Sequence, residues 1–346
     1  MEFYQEKQRD GAKRLSKLVK ELPPFAKEFF IGIADRTSIL TRLNYAYDLR
    51  IFFDFLIKEV FIKKSVLDIT LDDLNRLSVT DIEEYINYIN NYEFHENENA
   101  NTERGKARKL SSIRSFFKYF FNKDKLDSNV AAKVSLPKLH DKEIIRLDID
   151  EIAMLLNEVE SGDGLTKKQK DYHAKYCKRD LAMLTLFLGT GIRISECVGL
   201  NTQDVDFKNN AFRVTRKGGN RAILYFSDEV AKALSDYLEE RLQIEPDEKS
   251  EDALFLSSQN KRISVRAVEN LVKKYSRIIT PLKKITPHKL RSTYGTALYR
   301  ETNDIYVVAE VLGHRDINTT KKHYAAMSED VRRNAASKVK LRDEDK

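Results

Sequence analysis

Nowhere in the 346 residues do 18 apolar residues run together, which excludes a conventional transmembrane helix. The N-terminal stretch MEFYQEKQRDGAKRL lacks the apolar centre of a signal peptide, so a cytoplasmic protein is expected. Cysteine is scarce. Cys177 and Cys197 are the only two, and in a cytosolic chain they are expected as reduced, buried thiols rather than a disulfide. No Cys/His cluster has metal-ligand spacing, which argues against a zinc site, and no P-loop or acidic metal cluster is present. Charge, by contrast, is abundant: 33% of residues are charged, with a formal net charge of +7. That surplus favours a polyanionic partner, although charge alone does not separate a nucleic-acid binder from any basic protein. The length suits two domains, each with its own core.

The first 135 or so residues read as helical. Leu43, Tyr47, Leu49, Phe52, Phe53 and Leu56 approximate a helical stripe, and Thr80-x-x-Glu83 is a capping-box pattern opening a helix over Ile82 to Ile89. The polar tract FHENENAN (94–101) lacks a stripe and is expected as a loop. Ile113, Phe116, Phe117, Phe120 and Phe121 give the clearest stripe of this region. Along the same stretch Arg104, Lys106, Arg108, Lys109, Arg114 and Lys118 occur with no acidic residue between 104 and 118. A solvated face explains any single lysine. For the whole block, contact with a phosphate backbone is the better reading.

LPKLHDKEII (136–145) carries a proline and loses periodicity, as a linker would. Asp148-x-x-Glu151 opens a helix through Leu156, and Asp180 to Phe187 is apolar enough to be buried. Gly189-Thr190-Gly191 should stop that helix and put Arg193 in the first turn of the next, where Glu196 is its simplest partner. From Asp204 the period changes to two. Ala211–Thr215 and Ala222–Phe226 are expected as strands joined by a hairpin turn at Lys217-Gly218-Gly219-Asn220. Helices resume over Asp228–Leu242 and Val265–Ile279.

Toward the C-terminus, Pro287 opens a helix in which His288 and Arg291, at i and i+3, share a face. Ile305, Val308, Ala309 and Leu312 form the stripe of another, ended by Gly313. His314 follows directly, and a polar turn leads to Tyr324. Tyr294, Tyr299 and Tyr306 are expected to pack with satisfied hydroxyls. Val331, Ala335, Ala336 and Val339 make a small apolar stripe within a short helix over Ser328–Val339. Two histidines, an arginine and a tyrosine near helix ends suit a phosphate-handling site.

Taken together, these pieces resemble the tyrosine recombinase (phage integrase) family. GTGIRISE looks like its first arginine box, VTRKGGNRAILYF its β-hairpin lysine, HKLR its His-x-x-Arg box, and LGH with the later tyrosine its last two boxes. The five boxes stand in the family's order, and the VTRKGG and TPHKLR wording and the longer N-terminal region are most similar to single-protein Xer recombinases of streptococcal type. Two features depart from the pattern. His314 to Tyr324 spans ten residues, one more than in many Xer-type members, and Ser292 follows the His-x-x-Arg box where a histidine is common.

The resemblance implies a mainly α fold with a small antiparallel β-sheet. A helical N-terminal core-binding (SAM-like) domain over 1–137 and a linker over 138–147 would precede a catalytic domain over 148–327. The whole would form a C-shaped clamp on DNA, and a tail helix over 328–346 would dock on a neighbouring subunit. It implies site-specific strand exchange with no cofactor and no metal, through a Holliday junction. The partners would be double-stranded DNA with inverted-repeat half-sites, a homotetramer on two sites, and a septal DNA translocase or an excision factor, with no membrane and a nucleoid-associated location. Chromosome dimer resolution and mobile-element integration both fit. In this scheme Arg193 and Arg291 clamp the phosphate, His314 adds a hydrogen bond and Tyr324 is the nucleophile. Lys217 would protonate the leaving oxygen and His288 would orient or accept the tyrosine proton. A type IB topoisomerase would use a similar constellation, and a DNA-binding protein without catalysis could keep the fold.

Overall fold

The computed structural model describes residues 3–62, 64–136, 138, 145–216, 219–313 and 317. The chain divides into two compact units, Met1–Lys142 and Glu143–Lys346. Both are dominated by helices.

The first unit runs α1 (Phe3–Val19), α2 (Ala26–Gly32), α3 (Ile39–Phe55), α4 (Leu71–Asn75), α5 (Val79–Tyr88), β1 (Asn91–Phe94), β2 (Asn97–Ala100), α6 (Glu103–Phe121) and α7 (Val130–Lys133). The Ser38 hydroxyl accepts from the Thr41 N–H and starts α3, and Thr102 does the same for α6 through Gly105. Their apolar stripes meet in a core rich in aromatic rings: Phe52, Phe53, Phe116, Phe117 and Phe120 are all fully buried. The rings of Phe53 and Phe116 lie edge to face at 5.9 Å, as ring quadrupoles prefer.

Three expectations for this unit are corrected. Phe121 ends the stripe on the outside, 42% exposed, because the last residue of α6 has turned away from the core. The cap of α5 lies two residues earlier than expected, at Ser78 with Asp81. That register places Leu77 and Ile82, both buried, just before the cap and at its fourth helical position, the arrangement of a hydrophobic staple. The 94–101 tract is a hairpin and not a loop: β1 and β2 pair antiparallel, with Phe94 opposite Asn97. His95 and Glu96 form its two-residue turn with φ of 51° and 59°, the geometry a type I′ turn demands. Arg50 holds the hairpin from outside, 5.4 Å from the Phe94 ring centroid and donating to His95 Nε2 at 2.6 Å.

The second unit runs α8 (Ile149–Ser161), α9 (Lys167–Thr190), α10 (Ile194–Gly199), β3 (Val205–Asp206), β4 (Ala211–Thr215), β5 (Arg221–Tyr225), α11 (Asp228–Arg241), α12 (Val265–Ile279), α13 (Pro287–Thr302) and α14 (Ile305–Leu312). The long α9 packs against α8, α11 and α13. Asp148 caps α8 with Glu151 as expected, but the helix continues beyond Leu156 to Ser161. Leu147, just ahead of that cap, is buried in this unit's core, and its N–H donates to Thr293 Oγ1 at 3.0 Å. Most of the expected linker lies outside the described residues, as does the tail helix. The three strands form an antiparallel sheet in sequence order, with Ala211 opposite Tyr225 and Thr215 opposite Arg221. β5 thus begins and ends one residue earlier than expected. Phe226 has left the strand, yet its N–H still donates to Asn210 O at 2.8 Å.

Both cysteines are free. Cys197 is buried, whereas Cys177 is only half-buried, contrary to expectation. Among the described residues no helix is long and apolar enough to cross a membrane.

Candidate active site

Two helix ends build the site. α9 closes at Gly191, whose φ of 61° suits glycine, and a Cβ there would lie 2.5 Å from Tyr294 Cδ1. The bend after it puts Arg193 at the N-cap of α10, one residue before the first helical turn. Glu196, 3% exposed, accepts from the Arg193 backbone N–H at 3.0 Å and from its Nη1 at 2.9 Å. The expected carboxylate partner is therefore real, but it takes only part of the guanidinium. Nη2 reaches across to Leu312 O at 3.2 Å and Gly313 O at 2.9 Å.

α14 begins at Asp304, whose Oδ1 accepts from the N–H groups of Tyr306 and Val307, and ends at Gly313 with φ 60°. The last carbonyls of a helix have no partner within it and carry a partial negative charge. Arg291, on α13 and 5% exposed, donates through Nη1 to Gly191 O and through Nη2 to Leu312 O. Its fork therefore ties the end of α9 to the end of α14. The Leu312 carbonyl accepts from both arginines. Two cations far apart in sequence are fixed on one oxygen, beside the start of the segment that carries His314.

His288 is exposed in the first turn of α13, one turn before Arg291. Ser292, where the resemblance expects histidine, donates to the His288 carbonyl at 3.0 Å and so makes a local helix contact. Lys217, His314 and Tyr324 lie outside the described residues. Tyr294 and Tyr299 are half-buried, and burial pushes the Tyr294 hydroxyl pKa up. Tyr306 is 68% exposed and does not pack as expected, because α14 is short and only its Val308–Leu312 side faces inward.

Residues 144–330 match the phage integrase family. A relative named tyrosine recombinase XerC, from Caldanaerobacter subterraneus subsp. tengcongensis, is 35% identical over 86% of this chain and 82% of its own. The chain belongs to the phage integrase family. It is a Xer-like tyrosine recombinase: a relative named XerS from Streptococcus uberis is also similar, at 31% identity over 87% of this chain and 91% of its own. The solved structure of XerH in a post-cleavage complex with palindromic difH substrate shares the fold. Its TM-score is 0.64 at 18% identity, covering 84% of this chain and 77% of that one.

The recombinase's basic helix α6 proves mixed in character. Lys109 is buried, with Nζ 3.1 Å from Asn101 Oδ1 and 3.9 Å from Asp48 Oδ1. Arg114 folds onto the carbonyls of Ala131 and Val134. Lys106 is shared between Asn90 Oδ1 at 2.8 Å and Glu103 at 2.7 Å. Arg108 donates to the buried Asp48 at 2.5 Å but leaves its side chain 49% exposed, and Arg104 and Lys118 are exposed. Burial pushes the Asp48 carboxyl up and the Lys109 ammonium down, in each case against the pull of the opposite charge. Asp48, sixty residues before Arg108, is the acidic partner that the local sequence lacks.

One site residue escaped the sequence reading. Arg216 lies immediately before Lys217, and its guanidinium rests against the α-carbon of Gly313. The only signal was its place beside a lysine already singled out.

Proposed function

We propose that this recombinase cuts and rejoins double-stranded DNA at a specific site through a 3′-phosphotyrosine at Tyr324. The carrying observation is the convergence of Arg193 and Arg291 on the Leu312 carbonyl. A phosphodiester gains charge on its oxygens as it becomes pentavalent, and preorganised guanidinium forks are suited to meet that charge. On arrival, a phosphate oxygen would take over donors now held by backbone carbonyls, and His314 would add a further hydrogen bond. The Tyr324 oxygen would attack phosphorus while the bond from phosphorus to the 5′-oxygen breaks. Lys217 would give that oxygen its proton and His288 would receive the tyrosine's. Reversal with a new 5′-hydroxyl rejoins the strand, because the bond energy is kept in the protein–DNA link.

The division of the chain near residue 142 supports a core-binding domain over 1–137, a linker over 138–147 and a catalytic domain over 148–327, with the tail over 328–346. We assign the exposed charges of α6 to the DNA backbone. The Xer relatives, matched over most of their length, favour chromosome dimer resolution by a tetramer acting through a Holliday junction on paired half-sites, in the nucleoid-bearing cytoplasm. The ten-residue interval between His314 and Tyr324 favours a second reading, integration or excision of a mobile element.

Tyr324→Phe is the test. It should retain specific binding and lose all covalent attachment to a nicked suicide substrate. A covalent complex that persists, or that maps to the exposed Tyr306, overturns the assignment.

A further inference from the structure

β3 pairs only with the Ala211–Phe212 end of β4, so the end of the β4–β5 hairpin that leads to Lys217 is two-stranded, and a lysine beyond it needs something to hold it in place. The residue before it supplies the means. The Arg216 N–H donates to Asn220 O at 2.7 Å and the Gly219 N–H donates to Arg216 O at 3.1 Å, so its backbone belongs to the base of the turn. Its side chain leaves the hairpin altogether. Nη2 lies 3.4 Å from Val311 O, and the guanidinium packs on Gly313 so closely that a Cβ there would overlap it. Gly313 is thus constrained twice, by its φ of 60° and by this contact.

Three arginines therefore meet one helix end. Arg216 faces the carbonyl of Val311, Arg193 and Arg291 that of Leu312, and Arg193 also that of Gly313. Arg216 Nε is buried with no hydrogen-bond partner among the described residues, a cost that a fold rarely carries without a reason. The contact spans 95 residues of sequence and is aimed at the turn on which the catalytic arginines are fixed.

We propose that Arg216 is a positioning residue: a strap that fastens the lysine-bearing hairpin to the C-terminal turn of α14 and so sets Lys217 against the arginine clamp. Arg216 spends its side chain on the α14 backbone and acts through the residue bonded to it. This rests on Lys217 being the acid for the leaving oxygen. Losing an anchor one peptide away from a general acid misplaces that acid, and misplacement of about 1 Å can cost on the order of 10²-fold in rate.

A leaving group that needs no proton separates this role from direct phosphate contact. Arg216→Ala should bind DNA like the parent and cleave an ordinary suicide substrate roughly 10²-fold more slowly. A 5′-bridging phosphorothiolate should restore its rate to the same degree as that of Lys217→Ala. Arg216→Gln reaches the same point more gently, since it keeps most of the side chain and removes the guanidinium that meets the α14 turn. It should show the same rescue and is read in place of Arg216→Ala if that variant melts early. Rescue of Lys217→Ala without rescue of Arg216→Ala or Arg216→Gln overturns the strap and leaves the lysine's role standing. Parental cleavage by Arg216→Ala on the ordinary substrate also overturns it. Failure of the phosphorothiolate to rescue Lys217→Ala removes the acid, and the strap falls with it.

Discussion

Arg291→Lys keeps a positive charge on α13 and removes only the fork, which makes it the sharpest probe of the clamp. In the parent, Nη1 and Nη2 serve two carbonyls, Gly191 O and Leu312 O, from a side chain that is 5% exposed. An ammonium on a four-carbon stem has no second nitrogen to span them. Leu312 O would still receive Arg193 at 3.2 Å, so Gly191 O is the group left without its donor. One buried carbonyl deprived of its partner costs about 2 kcal/mol. For a unit of this size that corresponds to a fall in melting temperature of roughly 4–8 °C. The chemical step should suffer more. Removing one preorganised donor from a developing oxyanion costs about 10²–10³ in rate. Thermal melts of the full chain and single-turnover cleavage at saturating protein measure the two effects separately. Arg193→Lys provides the contrast: its side chain is 34% exposed, so the melt should move less while cleavage falls comparably. If Arg291→Lys cleaves within about tenfold of the parent, the fork is not a transition-state donor and the clamp is wrong.

On α6, replacing the exposed Arg104 and Lys118 by glutamine should weaken DNA binding at all sequences and flatten its log–log salt dependence by about 0.9 per lost phosphate contact. An unchanged slope returns both to a solvated face. Lys109→Gln and Arg114→Gln should instead lower the melting temperature, because these side chains are committed to Asp48, Asn101 and the α7 carbonyls. Asp48 has a folded pKa raised above its unfolded value, chiefly by burial. The folded state therefore holds the proton more tightly, and the residue's contribution to stability declines as pH rises from the unfolded pKa through the folded one. Asp48→Asn should accordingly cost more stability at about pH 4 than at neutrality, in urea titrations of the full chain, and equal cost would refute the shift. Truncation after Ser328 should leave binding to one half-site intact, reduce cooperative filling of two and abolish recombination. Equally cooperative gel shifts would mean that the tail folds back on its own subunit.

Elements with one apolar face were legible in the sequence, and those held by distant polar contacts were not. The α14 stripe and its stop at Gly313 follow from local spacing and glycine conformation alone. The β1–β2 hairpin was missed because its turn uses His95 and Glu96 at positive φ and because β2 has no apolar face to match the Tyr92 and Phe94 face of β1. The α5 cap was expected at Thr80 and lies at Ser78, a register that burial of Leu77 with Ile82, a tertiary fact, favours. Within the site, Arg193 and Arg291 could be named from their boxes, but their common anchor could not. A backbone carbonyl has no identity in a sequence. The partners of Arg114 were hidden for the same reason, since they are the carbonyls of Ala131 and Val134.

The single oxygen of Leu312 has a mechanical consequence. A carbonyl has lone pairs for two donors, and this one accepts from two arginines, so moving α14 shifts the anchor of both cations together. A pull on the chain beyond Gly313 would reach both guanidiniums, together with Arg216 against the same turn. The clamp would then be armed or disarmed as a unit, like a latch with one throw. Substitutions around Leu312 and Gly313 should divide molecules into working and silent populations rather than slow them all by the same factor.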